Sequence, residues 1–249
     1  MGGALVEGLI ASPQFNNADI MVSDPVKTVR KKIAAKGVSV TDNNREAAAW
    51  ADVVMVVVKP WLVEQVMREI APALSAENVL VVIAAGVPSA KILEWTAVEG
   101  MPLFLCIPNI AIAQLASMTF LVPAAQTTAK QTETIKGIFE AMGQVLITDE
   151  QHLGAGTTLA SCGIAYAMRY LRAAAEGGVE LGFRADDAKQ IVMQTMKGAV
   201  ELLEATGLHP EQAIDLVTTP GGVTIKGLNE MEHAGFTSAV IRGLKAGAK

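Results

Sequence analysis

The segment Thr218-Thr219-Pro220-Gly221-Gly222-Val223-Thr224 carries the residue types in this chain that are best suited to chemistry. Its glycines let a ligand approach the bare backbone, and the pattern predicts that a helix begins here, over residues 222–234. Free N–H groups and the positive end of the helix dipole favour a carboxylate or phosphate, and threonine hydroxyls offer further hydrogen bonds. The segment is therefore a candidate anion site, with an ordinary helix cap as the alternative.

Composition restricts the class of protein and its partners. Of the 249 residues, 51% are hydrophobic, which is enough for one large domain or two smaller ones. The formal net charge is −5 and basic residues are not clustered, so we expect no nucleic-acid partner. No apolar run reaches the roughly 18–20 residues that span a bilayer, and no export signal opens the chain. We therefore expect a cytoplasmic protein without a membrane partner.

The cysteines and histidines indicate no metal site. Cys106 and Cys162 are isolated in the sequence, and the three histidines match no ligand spacing. Free thiols fit a reducing compartment, and for the histidines we expect cap or surface roles. The sequence accordingly predicts no metal cofactor.

Hydrophobic patterning divides the chain into two domains. Residues 1–148 alternate between short β-branched runs and amphipathic helical stretches, which is typical of an α/β fold with a Rossmann-like, doubly wound parallel sheet. The predicted strands are 19–23, 37–40, 53–58, 78–83, 103–107, 118–122 and 144–148. Residues 149–249 contain helical segments only, and small residues in the first of them would allow close helix packing. The sequence therefore predicts a dinucleotide-binding domain followed by an all-α domain.

The chain opens with Met1-Gly2-Gly3 directly before a predicted helix. In a dinucleotide-binding unit, a strand and further glycines come first, and the pyrophosphate rests on the helix N-terminus. The first strand of such a sheet is therefore missing from this pattern, which leaves unpaired edges on its two neighbours. We expect that residues upstream of Met1 supply it; a rearranged sheet is the alternative.

Ser23 and Asp24 end the next predicted strand, about twenty residues further on. An acidic residue there binds the ribose hydroxyls of NAD, whereas a hydroxyl or a cation suits the 2′-phosphate of NADP. Asp24 thus favours NAD, while Ser23, Lys27 and Arg30 favour NADP. A helix cap is the alternative role for Asp24.

Several further motifs follow one another along the chain. They are Val58-Lys59-Pro60, Ala84-Ala85-Gly86-Val87, Ile107-Pro108-Asn109, Glu176-Gly177-Gly178-Val179, His209-Pro210, and the segment from Asp215 through Thr218 to Ile225. In this order the set resembles the motifs of the pyrroline-5-carboxylate reductase family over essentially the whole chain. The last segment is the most specific, because it is similar to the family pattern D-x-V-[ST]-[ST]-P-G-G-x-T.

The resemblance implies an activity and an assembly. Enzymes of this family transfer a hydride from NADPH or NADH to the C=N bond of 1-pyrroline-5-carboxylate, which gives L-proline in the last step of proline biosynthesis. The expected cofactor is NADP, with NAD possible. The resemblance also implies that the helical domain joins subunits into a homodimer or a larger homo-oligomer.

The resemblance further implies roles for individual residues. Thr219, Gly221 and Gly222 would bind the substrate carboxylate, and Thr224 would be the catalytic contact at the ring nitrogen. Cys162 belongs to a segment that contacts substrate in the family. The expected cofactor-binding residues are Met1, Gly2, Ser23, Asp24, Lys59, Pro60, Ala85, Gly86 and Asn109.

The chain departs from the family pattern in two internal segments. Ala160-Ser161-Cys162-Gly163 stands where the family has S-G-S-G, and Ile110 replaces a threonine. Two alternatives therefore stay open. One is another imine or hydroxyacid reductase, although residues 154–181 lack the lysine that hydroxyacid enzymes place there. The other is a noncatalytic helical dimerisation protein.

Overall fold

The computed structural model describes residues 1–248, which form two compact units. The first runs from Met1 to Ser161 and the second begins at Cys162. The domain boundary predicted after residue 148 precedes this division by a short helical segment and stays a prediction.

Strands and helices alternate through the first unit. The strands are β1 (Met21–Ser23), β2 (Ser39–Thr41), β3 (Val53–Val56), β4 (Val79–Val82), β5 (Leu103–Ile107), β6 (Ser117–Pro123) and β7 (Gly143–Ile147). The helices are α1 (Gly2–Ala11), α2 (Lys27–Ala34), α3 (Asn44–Trp50), α4 (Val63–Ile70), α5 (Ser89–Thr96), α6 (Ala129–Glu140) and α7 (Leu153–Gly156). Each strand matches a predicted one to within two residues at either end.

The strands form two sheets. β1 and β2 pair in parallel, and the larger sheet has the order β3-β4-β5-β6-β7. All pairs in the larger sheet are parallel except β5 with β6, which are antiparallel. The predicted Rossmann-like parallel sheet is confirmed, with this one pair as an exception, because residues 108–116 are too few for the crossover of about a dozen residues that parallel neighbours need.

In the described part of the chain β1, β2, β3 and β7 each pair with a single strand, and the edges of β1 and β3 are those that a missing central strand would leave open. β1 pairs there with β2 alone, and β3 pairs with β4 alone. These are the two edges that the sequence pattern predicted, since a strand between them would join the two sheets into one. Helix α3 links them instead: the Asn44 side chain accepts a hydrogen bond from Ser23 on β1 and donates one to Glu69 on α4.

Helices cover both faces of the larger sheet. Leu80 and Val82 of β4 belong to one buried cluster, together with Val63 and Met67 of α4. Val81 points the other way, into a second cluster that contains Leu5 of α1 and Ile135 and Phe139 of α6. Full burial of such side chains contributes about 1.5–3 kcal/mol each. The two clusters hold the strands, and hence the loops at their ends, in place.

The second unit is helical throughout residues 162–248. Its helices are α8 (Gly163–Glu180), α9 (Ala185–Thr206), α10 (Pro210–Leu216), α11 (Val223–His233) and α12 (Phe236–Gly247). Gly178 allows α8 and α9 to pack closely, since a Cβ atom built on it would lie 2.9 Å from Ala188 Cβ. Tyr170 and Phe236 join α8 to α12 through an edge-to-face ring contact at 6.3 Å.

Candidate active site

A tight turn precedes α11. The Gly222 N–H donates to the Thr219 carbonyl at 2.9 Å, and Pro220 and Gly221 occupy the two central positions. Gly221 has φ +70°, which glycine adopts without strain. Proline first and a left-handed glycine second are the features of a type II turn. The helix therefore begins at Val223, one residue later than the sequence pattern predicted, with Gly222 as its N-cap.

The first turn of α11 has no side-chain cap. No side chain hydrogen-bonds to its leading N–H groups, and it contains no acidic residue. Thr219 lies close by, because a Cβ atom built on Gly222 would be only 2.4 Å from Thr219 Oγ1. The exposed Thr224 follows within this turn. Open amides and a neighbouring hydroxyl at a helix N-terminus suit a carboxylate.

A pocket of about 420 Å³ opens at this turn. It is lined by Asp215, Thr218, Thr219, Pro220, Gly221 and Ile225. Thr218 is fixed in it, since its Oγ1 donates to the Asp215 carbonyl at 3.2 Å. Two residues predicted for the substrate site, Thr219 and Gly221, thus line this pocket. Gly222 and Thr224 each adjoin a lining residue in the chain.

Cys162 lies at the end of a π-helical turn, Thr157–Cys162, which interrupts the continuous helix predicted over 154–181. The thiol is half-buried and does not line the pocket at α11. Single π-helical turns occur frequently at functional sites. The predicted contact of Cys162 with the substrate stays a prediction.

The loops after β3 and β4 lie side by side at the carboxyl edge of the larger sheet. Lys59 and Pro60 follow β3 and are exposed, as are Ala85 and Gly86 after β4. Gly86 has φ +77°, and no atom lies within 4 Å of a Cβ built on it. Ligands of doubly wound sheets bind at this edge. The predicted residues are therefore accessible to a cofactor.

The start of α1 lies at the same edge. A Cβ built on Gly2 would be 3.8 Å from Val57 Cγ1, immediately after β3. Met1 is the N-cap, and the first turn has neither a side-chain cap nor an acidic residue. A Cβ built on Gly3 would meet no atom within 4 Å. This open helix N-terminus fits the pyrophosphate of a dinucleotide.

Asn109, after β5, is buried, with 4% of its surface exposed. Its Oδ1 accepts from the Ala111 N–H at 3.0 Å, and its Nδ2 donates to the Ala160 carbonyl at 3.5 Å. Its own N–H donates to Ser117 Oγ at 3.1 Å. The side chain thus fixes the loop, and its predicted contact with the cofactor stays a prediction.

A second bond joins the same two segments. Ser161 Oγ donates to the Pro108 carbonyl at 3.2 Å, beside the bond from Asn109 to Ala160. In the sequence, Ser161 stands out only as a departure from the family pattern. Its partner lies 53 residues away, so no local signal could have indicated the bond.

Polar groups surround the end of β1. Ser23 Oγ donates to Asn44 Oδ1 at 2.8 Å, and Asp24 Oδ1 accepts from the Val26 N–H at 2.7 Å. Asp24 therefore closes the turn before α2 with one oxygen, but the N-cap of that helix is Val26, which has no side-chain cap, so the helix-cap alternative is wrong. Asn44 is a candidate that the sequence analysis missed, although its place at the start of α3, after β2, could have indicated it.

Two cations lie close to this strand end. Arg30 donates to the Asp24 carbonyl at 2.6 Å and pairs with Asp42 at 2.9 Å. Lys27, the first residue of α2, is exposed and has no ion pair within residues 1–248. Of the two cations that suit a 2′-phosphate, Arg30 is thus already paired with a carboxylate, and Lys27 is available.

The remaining titratable groups have structural roles. Burial raises the pKa of the Cys106 thiol well above its usual range, which keeps it protonated. The ring of His209 caps α10 by accepting from the Glu211 N–H at 3.3 Å. His152 hydrogen-bonds to Asp149, which lowers the pKa of that carboxyl group. Residues 1–248 contain no cluster of three metal-binding side chains.

None of the helices in residues 1–248 is long and apolar enough to cross a membrane.

Family models match both parts of the chain. Residues 150–249 match the model described as pyrroline-5-carboxylate reductase dimerisation. Residues 1–86 match the model of NADP oxidoreductase, coenzyme F420-dependent. Together they assign an oxidoreductase domain and a dimerisation domain, in that order.

Two relatives and one solved structure with high similarity to this chain are named pyrroline carboxylate reductases. Pyrroline-5-carboxylate reductase 1 of Dictyostelium discoideum is 35% identical over 98% of this chain, which spans 46% of that relative's length. The pyrroline-5-carboxylate reductase of Pseudomonas aeruginosa is 32% identical, with 100% of this chain and 91% of the relative covered. The crystal structure of Plasmodium falciparum pyrroline carboxylate reductase with NADP bound has a TM-score of 0.91 at 23% identity, covering 100% of this chain and 92% of that one.

The similarity to the Plasmodium falciparum crystal structure confirms the Rossmann-like fold followed by a helical domain. The relatives confirm the resemblance of the motifs, because the similarity is not confined to one domain. The chain belongs to the pyrroline-5-carboxylate reductase family.

Proposed function

We propose that this chain reduces 1-pyrroline-5-carboxylate to L-proline by hydride transfer from NADPH, with NADH as the alternative donor. The observation that carries the proposal is the full-length similarity to a reductase of this name at 32% identity. A cyclic iminium is electrophilic once it is protonated, so the reaction asks little acid–base chemistry of the protein. It requires mainly that substrate and cofactor be bound and oriented.

The turn before α11 is the proposed substrate site. The Gly221 and Gly222 backbone and the Thr219 hydroxyl bind the carboxylate, because the leading amides of α11 have no side-chain cap. Thr224 is placed at the ring nitrogen, where its hydroxyl holds or relays a proton. The pocket of about 420 Å³ is large enough for a five-membered ring with one carboxylate. Cys162 is proposed as a further substrate contact.

The carboxyl edge of the larger sheet is the proposed cofactor site. Met1 and Gly2 hold the pyrophosphate at the N-terminus of α1, and Ser23 and Asp24 contact the adenine ribose. The residues proposed for the nicotinamide half are Lys59, Pro60, Ala85, Gly86 and Asn109. When bound, NADPH supplies the hydride.

The helical unit is proposed to form a homodimer or a larger homo-oligomer. Only two of its apolar residues within 162–248, Ala188 and Ala213, are buried in the single chain. Large apolar side chains are exposed on all five of its helices, among them Met168, Met193, Leu216, Val223 and Ile241. Many exposed apolar side chains on one helical unit favour a protein interface. The cytoplasmic location predicted from composition stays a prediction.

The test is NADPH oxidation that depends on 1-pyrroline-5-carboxylate, measured by absorbance with the complete native protein. Thr224→Val should lower kcat on the order of 10²-fold, because the variant keeps the shape but loses the hydroxyl. Thr224→Ser should retain most of the rate. Thr224 is exposed, so neither change should disturb folding.

Absence of turnover in the unmodified protein, despite saturable dinucleotide binding, would reject the reductase assignment. Dimerisation without turnover or dinucleotide binding would favour the noncatalytic alternative. Full activity of Thr224→Val would remove this threonine from the proton path.

A further inference from the structure

The Arg30–Asp42 pair leads to an inference about cofactor choice that rests on the proposed function. Arg30 Nη1 donates to the Asp24 carbonyl at 2.6 Å, and Arg30 Nη2 pairs with Asp42 Oδ2 at 2.9 Å. The Arg30 side chain is 17% exposed, whereas that of Asp42 is 69% exposed. The guanidinium is therefore held from the protein side by a backbone carbonyl and from the solvent side by a carboxylate.

The Arg30–Asp42 pair lies beside the end of β1, where a cofactor ribose would bind. Asp24 follows β1 and lies 22 residues after Gly2, which is where Rossmann folds bind the adenine ribose. A carboxylate there accepts from the 2′-hydroxyl of NAD, and a nearby arginine accommodates the 2′-phosphate of NADP. Arg30 is next to this point, but Asp42 already neutralises it.

The neighbouring groups leave both cofactors possible. Asp24 commits Oδ1 to the Val26 N–H, and within residues 1–248 its second carboxylate oxygen accepts no hydrogen bond, so it is open to a ribose hydroxyl. Ser23 gives its hydroxyl proton to Asn44 and can offer a phosphate no proton in this arrangement. Lys27 supplies one unpaired charge. The balance between NADPH and NADH thus depends on whether Arg30 is available.

We propose that Asp42 is a specificity-determining residue, which withholds the Arg30 guanidinium from a 2′-phosphate and so keeps NADH competitive with NADPH. Partly exposed ion pairs are weak, so an incoming phosphate competes with Asp42 at a small cost. Removing the carboxylate removes that cost. NADH has no 2′-phosphate, so its binding does not depend on the pair.

The experiment compares Asp42→Asn with the unmodified complete protein by titration with NADP⁺ and NAD⁺. The ratio of NADP⁺ to NAD⁺ affinity should rise about three- to fivefold, which corresponds to the strength of an exposed ion pair. The affinity for NAD⁺ should change less than twofold. Because the readout is a ratio, a general loss of folded protein does not imitate the effect.

Arg30→Met and the double variant complete the cycle. Asp42→Asn should leave the ratio unchanged in the Arg30→Met background, because no guanidinium remains to be released. Arg30→Gln also removes the charge, keeps a hydrogen-bond donor, and serves if Arg30→Met folds poorly. Asp52→Asn is the matched control. It removes the same charge from an exposed residue that immediately precedes β3, away from the strand ends that face the proposed cofactor site. It should leave the ratio unchanged.

Several results would overturn the proposal: an unchanged or lower ratio for Asp42→Asn, an equal rise without Arg30, an equal rise for Asp52→Asn, or no binding of either dinucleotide. The titrations contain no pyrroline substrate. A shifted ratio without turnover would thus support the role of Asp42 while rejecting the reductase function.

Discussion

Gly222 joins the type II turn to α11, and its lack of a side chain leaves room for the Thr219 hydroxyl. A Cβ at this position would lie 2.4 Å from Thr219 Oγ1 and 3.0 Å from the Thr219 carbonyl oxygen. The first distance is shorter than nonbonded contacts allow and the second is tight, so any larger residue displaces the threonine hydroxyl. The proposed carboxylate site thus requires a glycine at position 222.

We expect Gly222→Ala to raise KM for 1-pyrroline-5-carboxylate about tenfold or more, since it displaces one hydrogen bond to a charged group. KM for NADPH should change little. The matched control is Gly227→Ala on the same helix, where a Cβ meets no atom within 4 Å. It should leave KM unchanged and stabilise the helix by up to about 1 kcal/mol. Steady-state kinetics and thermal melts of both variants check this; an unchanged KM for Gly222→Ala would contradict it.

Sequence reasoning at this scale located residues better than it assigned their contacts. The Pro-Gly pair predicted both the turn and the helix after it, because those residues restrict the backbone locally. The cofactor contact that the resemblance implies for Asn109 stays a prediction, and the sequence did not indicate that the Asn109 amide hydrogen-bonds to Ala160, 51 residues away. Such a partner depends on tertiary packing and leaves no local trace.

At the scale of elements, α1 is fixed by close packing against the segment after β5. A Cβ on Gly8 would lie 2.4 Å from the Ile112 carbonyl oxygen and 2.9 Å from Met142 Sδ. Only glycine lets the helix approach the 3₁₀ helix Ile110–Gln114 this closely. The same contact sets where the N-terminus of α1 lies.

Gly8→Ala should therefore destabilise the first unit by about 1–3 kcal/mol through overpacking, with a lower Tm. Gly3→Ala is the control, since that residue lies in the same helix and has no neighbour within 4 Å. It should leave Tm unchanged or slightly raised. Differential scanning calorimetry separates the two, and equal Tm values would refute the packing argument.

Element positions followed from hydrophobic periodicity, and β5 was predicted to the residue. The direction of β6 was not, because strand direction depends on the length of the connection rather than on the strand's own pattern. The π-helical turn Thr157–Cys162 was also missed, since one extra residue in a turn barely changes a helical period.

At the scale of the whole molecule, the two units differ in how much core each contains. The first unit has two buried clusters, whereas the second buries only Ala188 and Ala213 among its apolar residues up to 248. A helical unit with so little core in the single chain needs a partner for stability. Sequence composition could not indicate this, because both units are rich in apolar residues.

We expect sedimentation to give at least twice the protomer mass of 26.1 kDa at micromolar concentration. Tm should rise with protein concentration, because association stabilises the folded state by mass action. A monomer whose Tm is independent of concentration would contradict the proposed oligomer.

The antiparallel return of β6 has a practical consequence for engineering. Its last residue, Pro123, pairs with Phe104 near the start of β5, so the exposed Ala125 and Gln126 lie at the end of the sheet away from the cofactor loops. Exposed turns of this kind tolerate added sequence. A peptide epitope or fluorescent reporter could be grafted there while the ligand-facing side stays untouched.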